Sequence, residues 1–185
     1  MTSLTEQLST IVFGLADLSL DIPQLNISVP LLEVIHALLI NYAYRTALRG
    51  AHTNIGWGQG FIATIVMCAG GGSTVALLRG EPLGILKSNR FWGIYGTMYW
   101  LMFSNPYVYS LVNALFRIPA LEQALTLADG ILRNFSVTRV GIQGVVSNPA
   151  LGDDKWMAKL ICGTLAGCGG GFWIGRLELY RLVWK

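Results

Sequence analysis

Charge is what this sequence has least of. Only 12% of its 185 residues are Asp, Glu, Lys or Arg, while 53% are hydrophobic and the mean hydropathy is +0.52. A soluble domain of this length needs neither so little charge nor so much apolar surface. Histidine and cysteine are scarce too. The two histidines, His36 and His52, have no metal-ligand spacing and no Ser or Cys nucleophile motif beside them, which leaves neither a metal site nor a catalytic constellation. Cys68, Cys162 and Cys168 are an odd number set in apolar runs, which argues against a disulfide framework. A formal net charge of +3 is too small to point to nucleic acid. No Gly-Lys-Ser or Gly-Lys-Thr follows the glycine runs, so they are not phosphate loops. The expectation is a membrane protein that is not an enzyme and has no cofactor.

What is present is a set of long uncharged runs. The 29 residues between Arg49 and Arg79 and the 26 between Arg90 and Arg117 can each hold a bilayer-spanning helix. They lack the alternation of a barrel strand, so the fold class is all-α membrane protein. Three further spans are expected: Ile27 to Tyr44, Leu121 to Val145, and Leu160 to Gly175 between Lys159 and Arg176. The fourth carries Asp129 and Arg133, whose i, i+4 spacing lets them neutralise each other. Residues 1–25 are too broken for a span and read as an interfacial segment, with a short helix around Ile11 to Leu20. Arg45, Arg49, Arg117, Arg181 and Lys185 fall on one side, against Lys87, Arg90 and Lys155 on the other. The positive-inside rule then puts the N-terminus in the lumen or outside the cell.

Glycine is the second abundance. Gly70, Gly71 and Gly72 fall in the second span and Gly169, Gly170 and Gly171 in the fifth, each triplet preceded by a cysteine and followed by an arginine. The equivalent elements are three positions apart in the order of spans, so the copies cross the membrane in opposite directions, as in an inverted-topology repeat. The halves are 26–118, with three helices, and 119–185, with two, so the second repeat is incomplete. Each triplet costs about 3 kcal/mol of helix propensity relative to alanine. Two readings follow. The helices break there and expose carbonyls to a wet pore that takes cations, or the glycines allow close helix packing, helped by Gly163 and Gly167.

Several runs resemble the trimeric intracellular cation (TRIC) channels. Cys68 and Gly70 followed by Leu77, Leu78, Gly80, Glu81 and Pro82 are similar to the end of that family's second helix. Leu101, Phe103, Pro106 and Pro119 are similar to its third, Val140, Gly141 and Ile142 to the end of its fourth, and Arg181, Val183, Trp184 and Lys185 to the end of its fifth. The resemblance covers about residues 27–185. It implies a homotrimer with a pore in each protomer, passing monovalent cations, chiefly potassium. In the endoplasmic or sarcoplasmic reticulum this current offsets the charge moved by calcium release; prokaryotic members sit in the plasma membrane. The family's glycine breaks map onto Gly70 to Gly72 and Gly169 to Gly171.

Departures accompany the resemblance. Animal members carry a fourth-helix lysine that binds an inositol lipid, and here that position is Ala128 or Gly130, with Asp129, Arg133 and Arg139 nearby. An acidic residue late in the second helix is replaced by Ala76 and a fifth-helix lysine by Ala166. Helices six and seven are absent, so the chain is expected to be a fragment of a longer protein or a shortened paralogue, and to conduct poorly.

Individual charges sharpen this picture. Arg133 and Arg139 are about 240° apart round a helix, so one partner cannot serve both. Arg133, paired with Asp129, is the candidate for the pore, and Arg139 for an anionic lipid such as a phosphoinositide, with Arg133 second; the alternative is that both snorkel or pair structurally. Glu33 and His36, one turn apart, form either a pH-sensitive pair or a structural one. Arg176 is expected to hold the broken fifth helix, Arg79 to snorkel, and the six tryptophans to anchor the interfaces. The functional expectation is a potassium-permeable channel subunit. The alternatives are a secondary transporter with inverted repeats and a non-conducting assembly subunit.

Overall fold

The computed structural model describes residue 14 and residues 18–23, 27–177 and 179. Most of the expected interfacial helix, together with Arg181 to Lys185, lies outside the described residues. Where residues 18–23 are described they correct that expectation. Ser19–Ile22 (β1) and Ile27–Pro30 (β2) form an antiparallel hairpin with Ser19 opposite Pro30 and Leu20 opposite Val29. The hairpin delays the first helix, α1 (Leu31–Ala47), which begins directly after Pro30. Glu33 in its first turn and Arg45 in its last complement the helix dipole. Arg49 and Gly50, both at positive φ, end the segment, and a 3₁₀ turn, Ala51–Asn54, leads on.

Helix α2 (Trp57–Leu78) stops for a reason visible in its own sequence. Gly80 takes the left-handed conformation, its N–H donates to the Leu77 carbonyl at 3.1 Å, and the Glu81 N–H donates to Ala76 at 2.9 Å. This is a Schellman stop, and Pro82 prevents the helix from resuming. The run Leu77-Leu78-Arg79-Gly80-Glu81-Pro82 is thus a terminator before it is anything else.

The third span is two helices rather than one. Helix α3 (Asn89–Ser104) is capped by the Ser88 hydroxyl, which accepts from the Phe91 N–H at 3.2 Å. Helix α4 (Pro106–Leu115) is capped by the Asn105 side chain, which accepts from Tyr107 at 3.0 Å and Val108 at 3.2 Å. Pro106 has no N–H to offer the Met102 carbonyl one turn back. The buried Arg45 guanidinium takes that carbonyl instead, and its charge also lies 4.0 Å over the Tyr109 ring.

The fourth span is irregular as well. Helix α5 (Pro119–Phe135) passes without a stop into a π-helical stretch, Ser136–Gln143, and a short α-turn, Gly144–Val146. Helix α6 (Trp156–Arg176) follows. Of the described helices, α2 and α6 are long and apolar enough to cross a membrane on their own. Helix α2 packs on α6, the π stretch on α6, and α1 on α3 and α5. Two buried clusters tie these contacts together, one around Tyr44, Ala63 and Met67 and the other around Val75, Val145, Cys162 and Ala166.

Candidate functional site: a cavity beside a glycine crossing

Gly70 to Gly72 lie inside the continuous helix α2 and Gly169 to Gly171 inside the continuous helix α6, so neither triplet breaks its helix. This overturns the expectation of glycine-broken second and fifth helices, and the packing explains it. The helices cross antiparallel with their backbones in contact. A Cβ on Gly71 would sit 2.5 Å from the Leu165 carbonyl oxygen, one on Gly169 would sit 2.5 Å from the Gly71 Cα, and one on Gly170 would collide with the Met67 carbonyl oxygen. Close approach of this kind compensates the propensity that glycine forgoes. Trp173 locks the crossing, its indole N–H donating to the Thr74 hydroxyl at 2.8 Å, while Thr74 donates to the Gly70 carbonyl at 2.7 Å. That tryptophan is a helix clamp rather than the interface anchor expected.

The same triplets have a second face. A Cβ on Gly72 or Gly171 would meet nothing within 4 Å among the described residues, and both line a cavity of about 720 Å³. Gly71 and Gly170 reach its wall too. Opposite the glycines stand polar groups from other elements: Glu33 and His36 from α1, Arg90 and Tyr95 from α3, Arg133 from α5 and Arg139 from the π stretch. Bare glycine backbone and ionisable side chains thus both contribute to the wall of the cavity.

The charges are arranged in two groups. In the first, Arg133 Nε donates to Asp129 Oδ2 at 2.7 Å, the i, i+4 pair expected from the sequence. The Arg133 guanidinium also points toward the Gly167 carbonyl, 3.5 Å away. Glu33 and His36, however, do not pair. Glu33 meets Arg90 at 3.2 Å, and His36 Nδ1 lies 2.8 Å from the Tyr95 hydroxyl with Nε2 3.9 Å from Asp129 Oδ1. One helical turn brings the two side chains near each other, but α3 and α5 each offer a closer partner.

The second group is centred on Arg79, which does not snorkel. Its side chain is 8% exposed, with Nη1 donating to the Val140 carbonyl at 2.7 Å and Nη2 to Glu81 Oε2 at 2.6 Å. Asn148 completes the knot by donating to the Arg79 carbonyl at 3.0 Å and to Glu81 Oε1 at 3.3 Å. The guanidinium occupies the space a Cβ of Gly144 would fill. A π-helix leaves carbonyls poorly satisfied along its ladder, and Arg79 serves one of them. Ser136, at the start of that stretch, donates across to the Ala166 carbonyl at 3.0 Å.

The remaining candidates fall as follows. Gly70, Gly169 and Asp129 are not part of the cavity wall, and Asp129 stands behind two lining residues, Arg133 and His36. Arg139 lines the cavity with its guanidinium 4.7 Å from the Phe135 ring. Arg176 is exposed in the last turn of α6, outside the wall, and with no break to hold it loses its expected role. Sequence reasoning missed Tyr95 and Arg90, which no spacing within α3 marks out. At the far end of α1, Arg45 Nη2 faces His52 Nε2 at 3.2 Å. A guanidinium only donates, so that ring nitrogen accepts. Burial, with the Arg45 charge second, pushes the His52 imidazole below its ordinary value.

No family model and no curated protein sequence matches this chain. Two solved structures do. A TRIC counter-ion channel described for its activity in calcium release is 22% identical, covers 96% of this chain and 74% of its own, and superposes with a TM-score of 0.71. A trimeric intracellular cation channel from C. elegans, in the absence of Ca²⁺, is 15% identical over 95% of this chain and 70% of its own, with a TM-score of 0.68. The helices, their order and their crossings are therefore shared over nearly the whole chain, in agreement with the resemblance read between residues 27 and 185: this chain has the all-helical fold of the TRIC channels.

Proposed function

We propose that this chain is a monovalent-cation channel subunit of an intracellular membrane, passing chiefly potassium as counter-ion current during calcium release. One observation carries the reading: a cavity of about 720 Å³ opens within a single chain of TRIC fold, with the open faces of Gly72 and Gly171 on one side and ionisable groups on the other. Gly71, Gly72, Gly170 and Gly171 form the pore wall, Arg133 and Glu33 tune the charge met by the ion, and Asp129 positions Arg133. The protein assembles as a homotrimer, with its N-terminus on the lumenal side. The antiparallel crossing of α2 and α6 supports an inverted relation between 26–118 and 119–185. Arg139, with Arg133 behind it, offers an anionic lipid head group its counter-charge.

The test is reconstitution into planar bilayers under a potassium chloride gradient. Discrete current steps that reverse toward the potassium equilibrium potential are expected, and Gly72→Leu should reduce them at least about tenfold, since a pore is blocked by filling it. Saturable counterflow of a solute without steps would overturn the reading in favour of a carrier. The carbonyl-lined pore and the carrier both drew on discontinuous second and fifth helices, so the continuous α2 and α6 leave the choice between channel and carrier to this measurement.

A further inference from the structure

Asp129 divides its two oxygens unequally. Oδ2 receives the Arg133 guanidinium at 2.7 Å, whereas Oδ1 is buried and, among the described residues, has no hydrogen-bond partner. A buried carboxylate oxygen left unpaired is costly, and such atoms call for an explanation. The nearest candidate donor is His36 Nε2, 3.9 Å away, about 1 Å beyond a charge-assisted hydrogen bond. The opposite ring nitrogen is already engaged, with Nδ1 2.8 Å from the Tyr95 hydroxyl and the two rings edge to face. Three helices therefore meet at one imidazole on the cavity wall.

We propose that His36 is a proton-operated latch between α1 and α5, in which a proton taken up by the imidazole makes Nε2 a charged donor for the unpaired Oδ1 of Asp129. The proton comes from water in the cavity, which His36 lines. Nδ1–H then donates to Tyr95, Nε2–H to Asp129, and the gap between α1 and α5 closes by the missing ångström. The groups facing the ring are few. Tyr95 faces it from α3, with Arg90 of that helix held by Glu33 of α1; Asp129 and Arg133 face it from α5. Cys68 of α2 stands near the Tyr95 hydroxyl, and Arg139 lines the same cavity from the π stretch. Asp129 is thus the carboxylate that answers the new charge, and Arg133 the cation that competes for it.

One consequence rests on the cation-channel reading. With His36 neutral, Asp129 and Arg133 cancel; with His36 charged, the cluster carries one net positive charge beside the cavity. Cation current should fall at least about threefold once acid protonates His36.

The latch itself is tested without current. With only two histidines in the chain, His52→Gln leaves a single imidazole, and ¹⁵N-histidine NMR of the full chain in nanodiscs follows its ring nitrogens through a pH titration. On that background Asp129→Asn should move the titration midpoint of His36 down by at least about 0.5 in pH, which is about threefold in its protonation equilibrium. Arg133→Gln should move it up, which keeps the test open should the first variant fail to fold. A titration curve unmoved by both variants, or a ring that stays neutral for as long as the chain remains folded, overturns the latch. Reconstituted flux supplies the second arm: His36→Gln should abolish its acid-side fall. Absence of any flux at any pH would count against the channel reading alone, with the NMR titration still deciding the latch.

Discussion

Two helix contacts in this bundle are built on opposite terms. Where α2 crosses α6, Gly70, Gly71, Gly169 and Gly170 let backbone meet backbone beside the Trp173–Thr74 clamp, and both helices run on undisturbed. Where α1 meets α3 and α5, side chains do the joining, and His36, Tyr95, Asp129 and Arg133 span gaps with hydrogen bonds and charge. Regular helix survives in the first region because four of the six glycines are packed against the facing helix. Irregular helix appears elsewhere, at Asn105 before Pro106 and over Ser136–Gln143. A run of glycine is a licence for close approach, and the packed glycines keep the helix regular even where Gly72 and Gly171 face open space.

That contrast can be broken most severely at the crossing. Gly170→Leu puts a side chain through the Met67 carbonyl and should prevent stable folding, seen as loss of a cooperative melt in detergent. Gly71→Ala, facing the Leu165 and Ala166 carbonyls at 2.5 and 2.9 Å, should cost about 1–3 kcal/mol and lower the melting temperature. Gly72→Ala, one position on, should leave the melt unchanged or slightly raised, since it gains helix propensity and meets nothing. If Gly71→Ala and Gly72→Ala behave alike, the two faces of the triplet are not distinct.

Side-chain contacts elsewhere in the bundle can be broken as well. Arg79→Met leaves the Val140 carbonyl and Glu81 without their donor and should cost about 2–4 kcal/mol, with faster amide exchange across 136–143 as its signature. Asn148→Ala removes the weaker contacts of the same knot and should cost about 1 kcal/mol by the same melt. The smallest effect lies at His52, which the fold keeps neutral. The unfolded chain binds a proton near the ordinary value of 6.5 while the folded chain resists it, so this contribution to stability is present above that pH and is lost as pH falls below it. Melting temperatures of His52→Gln should be flatter than wild type on the acid side.

Much of this arrangement was legible in advance, and the failures share one cause. Uncharged runs marked α2, the α3–α4 pair and α6, because a bilayer tolerates little charge at depth. The Asp129–Arg133 pair followed from i, i+4 geometry alone, since both residues sit on one helix. Glu33 and His36, at i, i+3, also share a helix face and still did not pair, because Arg90 and Tyr95, 57 and 59 positions away, came closer. Arg79 looked like a snorkelling cation until the Val140 carbonyl, 61 positions away, claimed it. Local spacing decides a contact only when no other helix competes for it.

Residue order alone suffices to make the chain helical, to stop α2 at Gly80 and to interrupt the third span at Pro106. Composition and backbone stereochemistry act within a few residues and need no partner. Packing was required to keep the glycine triplets helical, to turn one face of each toward the other and one toward a cavity, and to stand a histidine of α1 before a carboxylate of α5. Those outcomes depend on which helices touch, and helix propensity is too weak a force to choose between a break and a contact until the neighbour is in place.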